Sequence, residues 1–214
     1  MILNTIKQKH LKTINNFQKP QNKQKMKKAS IFITALMLSA ASYAQTWTLD
    51  KAHAKIGFTI THMMVSDVDG MFKTFDATLT STRADFSDAV FSVTAQTNSV
   101  FTDNDKRDEH LKSADFFDAA VNPTVSFQSK SIKKTGENTF KITGDLTMHG
   151  VTKSVVLDGS FKGPITNPNN KKAVAGFKIT GVVKRSDFKL ADKMPTAALS
   201  DEVTITANGE FKQG

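Results

Sequence analysis

Cysteine is absent from all 214 residues, so the chain has no disulfide, no thiolate metal ligand and no thiol nucleophile. Tryptophan and tyrosine occur once each, as Trp47 and Tyr43, against 16 phenylalanines. Rings are plentiful, but hydroxyl and indole donors on them are not, and a surface built from such rings has little hydrogen-bonding capacity. No apolar run reaches the ~20 residues that a membrane-crossing helix requires. The G-x-S-x-G elbow, the H-E-x-x-H helix, the phosphate-cradling P-loop and the G-x-G-x-x-G turn are also missing. Enzymatic function is therefore left without a supporting motif, and no catalytic residue and no cofactor is assigned.

The excess of positive charge is local. Of 29 basic residues, eight lysines lie in residues 1–44, which hold no acid, so residues 45–214 carry 21 basic against 20 acidic side chains. The formal +9 consequently gives no reason to expect nucleic acid as a partner. The order of the leading residues explains the imbalance. Met26-Lys27-Lys28 precedes an apolar-to-small run from Ala29 to Ala41, and Ser42-Tyr43-Ala44 supplies small residues at the −3 and −1 positions. That pattern predicts a signal peptide cleaved after Ala44 and a periplasmic or secreted domain over residues 45–214. Residues 1–25 read either as a long basic segment or as the result of an upstream start, with Met26 the favoured first residue.

After Gln45 the apolar residues recur with period two, the signature of half-buried antiparallel strands. Ile56, Phe58 and Ile60 alternate with Lys55, Thr59 and Thr61, and Phe140, Ile142, Leu146 and Met148 with Lys141, Thr143, Asp145 and Thr147. Strands are predicted near 47–50, 54–63, 71–81, 89–99, 124–132, 139–148, 151–162, 173–185 and 202–212. Lys134 to Asn138 reads as a hairpin loop, His149-Gly150 as a tight turn, and Gly163-Pro164 through Asn170 as a longer polar loop. About eight substantial strands with hairpin links fit an up-and-down barrel or a sandwich. A barrel would leave no exposed edge. The charged run Asp103 to Lys112 breaks the alternation and predicts a short helical insertion near 104–118, capped by Asp103 or Asn104.

Two readings of the inward phenylalanines stay open: they fill a core, or they line a lumen wide enough for one small ligand. Gly144, Gly159, Gly181 and Ala207, on inward faces, would enlarge such a lumen. His53, His62, His110 and His149 lack the tight spacing of a metal site, so no metal is assigned. His53 and His149 are expected to be hydrogen-bonded at strand ends and turns. Arg107 and His110, three residues apart on a helix, face the same way and form either an anion-binding pair or part of a solvated charged face.

Certain blocks are more specific. Trp47-Thr48-Leu49-Asp50, Ile56-Gly57-Phe58 and Gly70-Met71-Phe72 are followed by R-x-x-H-L-x-x-x-x-F-F at Arg107 to Phe117. Then come G-x-L-x-x-x-G-x-T-K at Gly144 to Lys153 and Arg185-Ser186-Asp187-Phe188. In this order the chain resembles the YceI-like family over essentially all of residues 45–214. One departure is Lys189, which stands where many relatives place glycine. The resemblance implies an all-β, eight-stranded antiparallel lipocalin-like barrel whose tunnel holds a long isoprenoid or similar amphiphilic lipid. It also implies an exported, non-enzymatic protein that sequesters or transports this lipid. It does not imply a membrane-spanning protein, and a homodimer is left open.

The expected ligand-binding wall consists of Phe58, Ile60, Phe72 and Phe127, together with Phe140, Ile142, Phe177 and Ile179. His62, Arg107 and His110 are the candidates at the polar end. Burying about a dozen methylenes contributes on the order of 10 kcal/mol, of which ordering and association remove several. A charge-assisted contact adds about 1.5–3 kcal/mol, so the tail would set affinity and the polar end orientation. The rivals are a filled barrel acting through its surface in envelope upkeep or stress response, and an enzyme modifying a bound lipid through His62 or His110.

Overall fold

In a computed structural model, the described residues are 44–214. The expected leader, residues 1–44, lies outside the described residues except for Ala44 itself. From Gln45 onward the chain forms β1 (Gln45–His62), β2 (Ser66–Phe72), β3 (Phe75–Ser81), β4 (Val90–Gln96) and β5 (Val100–Phe101). The helix α1 (Asp105–Lys112) follows, and then β6 (Thr124–Lys134), β7 (Thr139–Met148), β8 (Val151–Thr166), β9 (Ala173–Lys184) and β10 (Leu199–Gln213). Neighbours pair antiparallel, and β10 returns to pair with β1 from Trp47↔Gln213 to His62↔Leu199. The result is a closed eight-stranded antiparallel barrel with a single short helix among the described residues.

Ten strand segments make eight staves because two staves are interrupted. β1 is long enough to pair with β3 at its start (Gln45↔Ser81 to Thr48↔Thr78) and with β2 at its end (Ile56↔Phe72 to His62↔Ser66). The predicted strand 71–81 is therefore broken at Lys73–Thr74, and the predicted 89–99 ends at Gln96 in a 3-10 turn, Thr97–Ser99. β2 begins at Ser66, where the sequence shows little alternation. Its acids face outward and accept from threonines across the hairpin, Thr59 Oγ1 to Asp69 at 2.6 Å and Thr61 Oγ1 to Asp67 at 2.8 Å. β8 runs on through Gly163-Pro164 to Thr166. A register shift between Lys162 and Ile165 absorbs the missing proline N–H, so the polar loop is confined to 167–172.

β7 carries the predicted alternation through its whole length, with Phe140, Ile142, Gly144, Leu146 and Met148 all buried. His149 and Gly150, at φ 50° and 71°, make the tight turn into β8. Asn104 caps α1 by accepting from the Arg107 amide at 3.0 Å. The helix is fastened by a polar anchor: buried Asp108 accepts from the Thr102 amide at 2.8 Å and its hydroxyl at 2.5 Å.

The two ends of the barrel interior differ. Away from the helix the centre is solid. The 82–89 loop turns inward and places Phe86, fully buried, edge-on to Trp47 (5.2 Å), Phe161 (5.4 Å) and Phe177 (4.9 Å). Each such pair contributes about 0.5–1.5 kcal/mol beyond area burial. The inward glycines do not hollow the barrel. A Cβ on Gly159 would lie 2.1 Å from the Phe140 ring, and one on Gly144 2.5 Å from Phe127, so rings already occupy the space those glycines leave. Gly181 is covered in the same way by Leu157.

The Phe86 loop is tied at its base by one carboxylate. Burial pushes the Asp88 carboxyl up, but the hydroxyls of Ser81 (2.5 Å) and Thr82 and the amides of Thr82 and Arg83 donate to it and hold it at about 2. A carboxyl bonded more strongly in the folded chain contributes stability above its ordinary 3.8 and loses it as pH falls towards about 2. Asp88→Asn is expected to flatten that acid limb of the stability curve, measured by urea denaturation at stepped pH. An unchanged limb would show that the loop is held by other contacts.

Candidate functional site

At the helix-bearing end the inward faces carry mainly aliphatic groups with a few rings among them, and a cavity of about 400 Å³ remains. Its walls come from β1 (Ile56, Phe58, Ile60), β2 (Val68, Phe72), β6 (Val125, Phe127), β7 (Leu146, Met148), β9 (Ile179, Val183) and β10 (Val203, Ile205). Gly70 permits Phe58 to lie flat against the wall, since a Cβ there would meet the ring at 2.2 Å. Leu111, Phe116 and Phe117 of the helical insertion cover one side of the mouth. A strap between β9 and β10, contributing Leu190, Met194 and Ala198, covers the other together with Leu199 at the start of β10.

Of the eleven residues expected from the sequence, Phe58, Ile60, His62, Phe72, Arg107, His110, Phe127 and Ile179 line this cavity. Phe140, Ile142 and Phe177 do not. They share the inward face but lie deeper, within the solid aromatic half, where Phe140 and Phe177 pack around Phe161. Strand periodicity fixes which face a side chain takes, not its depth along the barrel axis.

Arg107 and His110 both reach the mouth from α1. The Arg107 Nε donates to Thr102 Oγ1 at 2.7 Å and Nη2 to the Thr102 carbonyl at 2.6 Å, which fastens the helix to the end of β5. His110 stands edge-on to Phe116 at 4.9 Å, half exposed, with Nε2 3.5 Å from Asp115. His62 closes β1 at the rim. His149, in the turn between β7 and β8, has Nδ1 3.2 Å from the Phe188 carbonyl, 39 residues along the chain.

Sequence reasoning missed Arg185 as a site residue. This side chain is 3% exposed and reaches the cavity wall, yet its hydrogen bonds go entirely to backbone carbonyls. Nε donates to Ser200 at 3.1 Å, Nη1 to Ala191 at 2.6 Å and Leu190 at 3.3 Å, and Nη2 to Met194 at 2.7 Å and Leu199 at 3.1 Å. One guanidinium fork thus gathers both ends of the strap. Carbonyl acceptors leave no trace in residue types. The only signal was membership of the Arg185-Ser186-Asp187-Phe188 block. Burial raises the neighbouring Asp201 carboxyl, but the Ser186 amide (3.0 Å) and hydroxyl (2.9 Å), with the Arg185 charge, bring it below the ordinary carboxylate range.

Among the described residues, Asp50, His53 and Glu210 come close enough to share a metal ion. The site is exposed and already neutralised: the Lys212 ammonium lies 2.7 Å from Asp50, and together with His53 it holds that carboxyl at about 2. The Asp50 hydrogen bond in turn raises the His53 ring above its ordinary value. No carboxylate, lysine or cysteine lies on the described cavity wall. Among the described residues no helix is long and apolar enough to cross a membrane.

The profile of the YceI-like domain matches residues 47–211. Protein YceI of an Escherichia coli strain is 38% identical over 189 residues, covering 86% of this chain and 98% of the relative. The crystal structure of the Campylobacter jejuni YceI protein superposes with a TM-score of 0.64 at 35% identity, covering 78% of this chain and 97% of the other. A polyisoprenoid binding domain from Saccharophagus degradans shares the fold at a TM-score of 0.57 and 14% identity, covering 78% of this chain and 98% of that domain.

Lys189 tests how far the strap tolerates strain. It adopts φ 55° and ψ 26°, the left-handed region in which a side chain costs energy and glycine does not. The glycine expected from relatives matches the backbone required here. Lys189→Gly is predicted to stabilise the fold by about 1 kcal/mol in urea denaturation. A loss of stability would mean that the lysine stem makes a contact worth more than its backbone strain. Arg185→Met, which leaves several buried carbonyls without a donor, is expected to cost about 3 kcal/mol or more in the same assay. A change under about 1 kcal/mol would show that the strap holds without the guanidinium.

Proposed function

The chain belongs to the YceI-like domain family, and we propose that it is an exported protein that holds an isoprenoid or similar amphiphilic lipid, for sequestration or transport and without catalysis. The observation that carries this reading is the cavity of about 400 Å³, apolar along its walls and blocked at its far end by the Phe86 cluster. That volume lies within the range of small-molecule sites, and at about 30 Å³ for a group the size of water it takes about a dozen methylene-sized groups. Their burial contributes on the order of 10 kcal/mol before ordering and association costs. Arg107, His110 and His62 stand at the mouth, and the one cation along the described wall, Arg185, is committed to backbone carbonyls. This arrangement suits a ligand with a greasy tail inside and a polar end at the rim. The printed description of the Saccharophagus domain, a polyisoprenoid binding domain, supports the ligand class. The leader pattern supports export.

Mass spectrometry of protein purified from its native host is expected to find an apolar molecule in stoichiometric amount; empty protein would count heavily against the reading. Phe127→Asp places a charge in the wall and is expected to weaken uptake of a fluorescent prenyl chain at least tenfold, or about 1.4 kcal/mol. Circular dichroism would verify that this variant folds. Undiminished uptake would remove Phe127 from the binding surface.

A further inference from the structure

Beneath the main cavity lies a second, separate space of about 30 Å³, walled by Phe91, Phe177 and Phe211 among others. Four residues line both spaces: Ile56, Val93, Ile179 and Ala207. Three of them form one row across adjacent strands, Ile56 pairing with Ala207 and Ala207 with Ile179. Val93 faces them from β4. The next row down holds Gly209 paired with Phe177, and with it the aromatic cluster begins.

We infer that Ile56, Val93, Ile179 and Ala207 form a floor that sets the length of apolar chain the barrel accepts. This rests on the lipid-holding reading above and refines it. The barrel is not an open pipe at this level. A chain entering at the mouth runs between aliphatic walls until it meets the branched side chains of Ile56, Val93 and Ile179. Beyond them the space is about one water molecule in size and offers a chain end almost nothing. The cut-off therefore falls at about a dozen chain carbons, and any remainder projects past the rim. The floor is made of side chains on rigid, paired strands, so its height is fixed by residue volume. Removing one member merges the small space with the cavity, and enlarging one raises the floor.

The decisive measurement is displacement of the dye 8-anilinonaphthalene-1-sulfonate from the full 45–214 domain by straight-chain fatty acids of about eight to about eighteen carbons. Affinity in the unmodified protein is expected to tighten about fourfold per added methylene and then level off near a dozen. Ile179→Ala should shift that plateau about three carbons longer, the number removed from the side chain. Ala207→Leu should shift it shorter, and because it adds bulk instead of a void, the pair remains informative if one variant folds poorly. Chains that bind with a plateau unmoved by both substitutions would overturn the floor and leave the lipid-holding reading intact. Displacement by no chain of any length would overturn that reading, and the floor with it.

Discussion

Nothing in this molecule has an interior until β10 returns to β1. The pairing extends over nearly all of both strands and is shifted between Asp50 and Ala54, where the extra residues of β1 let the sheet turn in on itself. Before closure, the apolar face of each strand is half of an open sheet. After closure the faces look at one another across a shared axis, and the alternation of the sequence becomes a distinction between inside and outside. The same pairing covers the long edge that β10 would otherwise present and with it a usual route to strand-on-strand aggregation.

Closure creates a space but does not decide how much of it is used. That depends on the bulk of the inward side chains, row by row. Where the rows supply Trp47, Phe86, Phe161, Phe177 and Phe211, rings meet edge to face and fill the centre. Where they supply mostly valine, leucine, isoleucine and methionine, with Phe58, Phe72 and Phe127 against the wall, a space remains between them. Glycines work against expectation here: rings lie over Gly70, Gly144 and Gly159 and Leu157 over Gly181, which tightens the wall instead of widening the bore.

The strands and the helical interruption are legible in the sequence because a period of two, and its breakdown, are local properties, whereas the choice of a barrel over a sandwich rests on the resemblance to the YceI-like family. Phe140, Ile142, Leu146 and Met148 announce a half-buried strand without reference to anything distant. Depth along the axis is not local, which is why Phe140, Ile142 and Phe177 were expected on the cavity wall and lie in the solid half. Phe86 was harder to foresee. It sits in a loop with no alternation, turned inward by a left-handed backbone and held there by bonds such as those to the Asp88 carboxylate. Ser66 to Gly70 became strand by pairing with β1 rather than by its own pattern. Arg185 bonds to carbonyls, which every residue type carries equally. In each case the missing information was a contact that residue type does not announce, a few residues away for Arg185 and Ser66 and far along the chain for the rings around Phe86.

The Phe86 cluster fills the barrel's centre away from the helix. On the lipid-holding reading proposed above, a vessel stopped at its base is not threaded, and its occupant would back out before a successor entered. Loading and unloading would then alternate, in the manner of a ping-pong exchange. Donor and acceptor could not be served at opposite ends at once. They would compete for the same rim, and the strap held by Arg185 would stand at the crossing of both journeys.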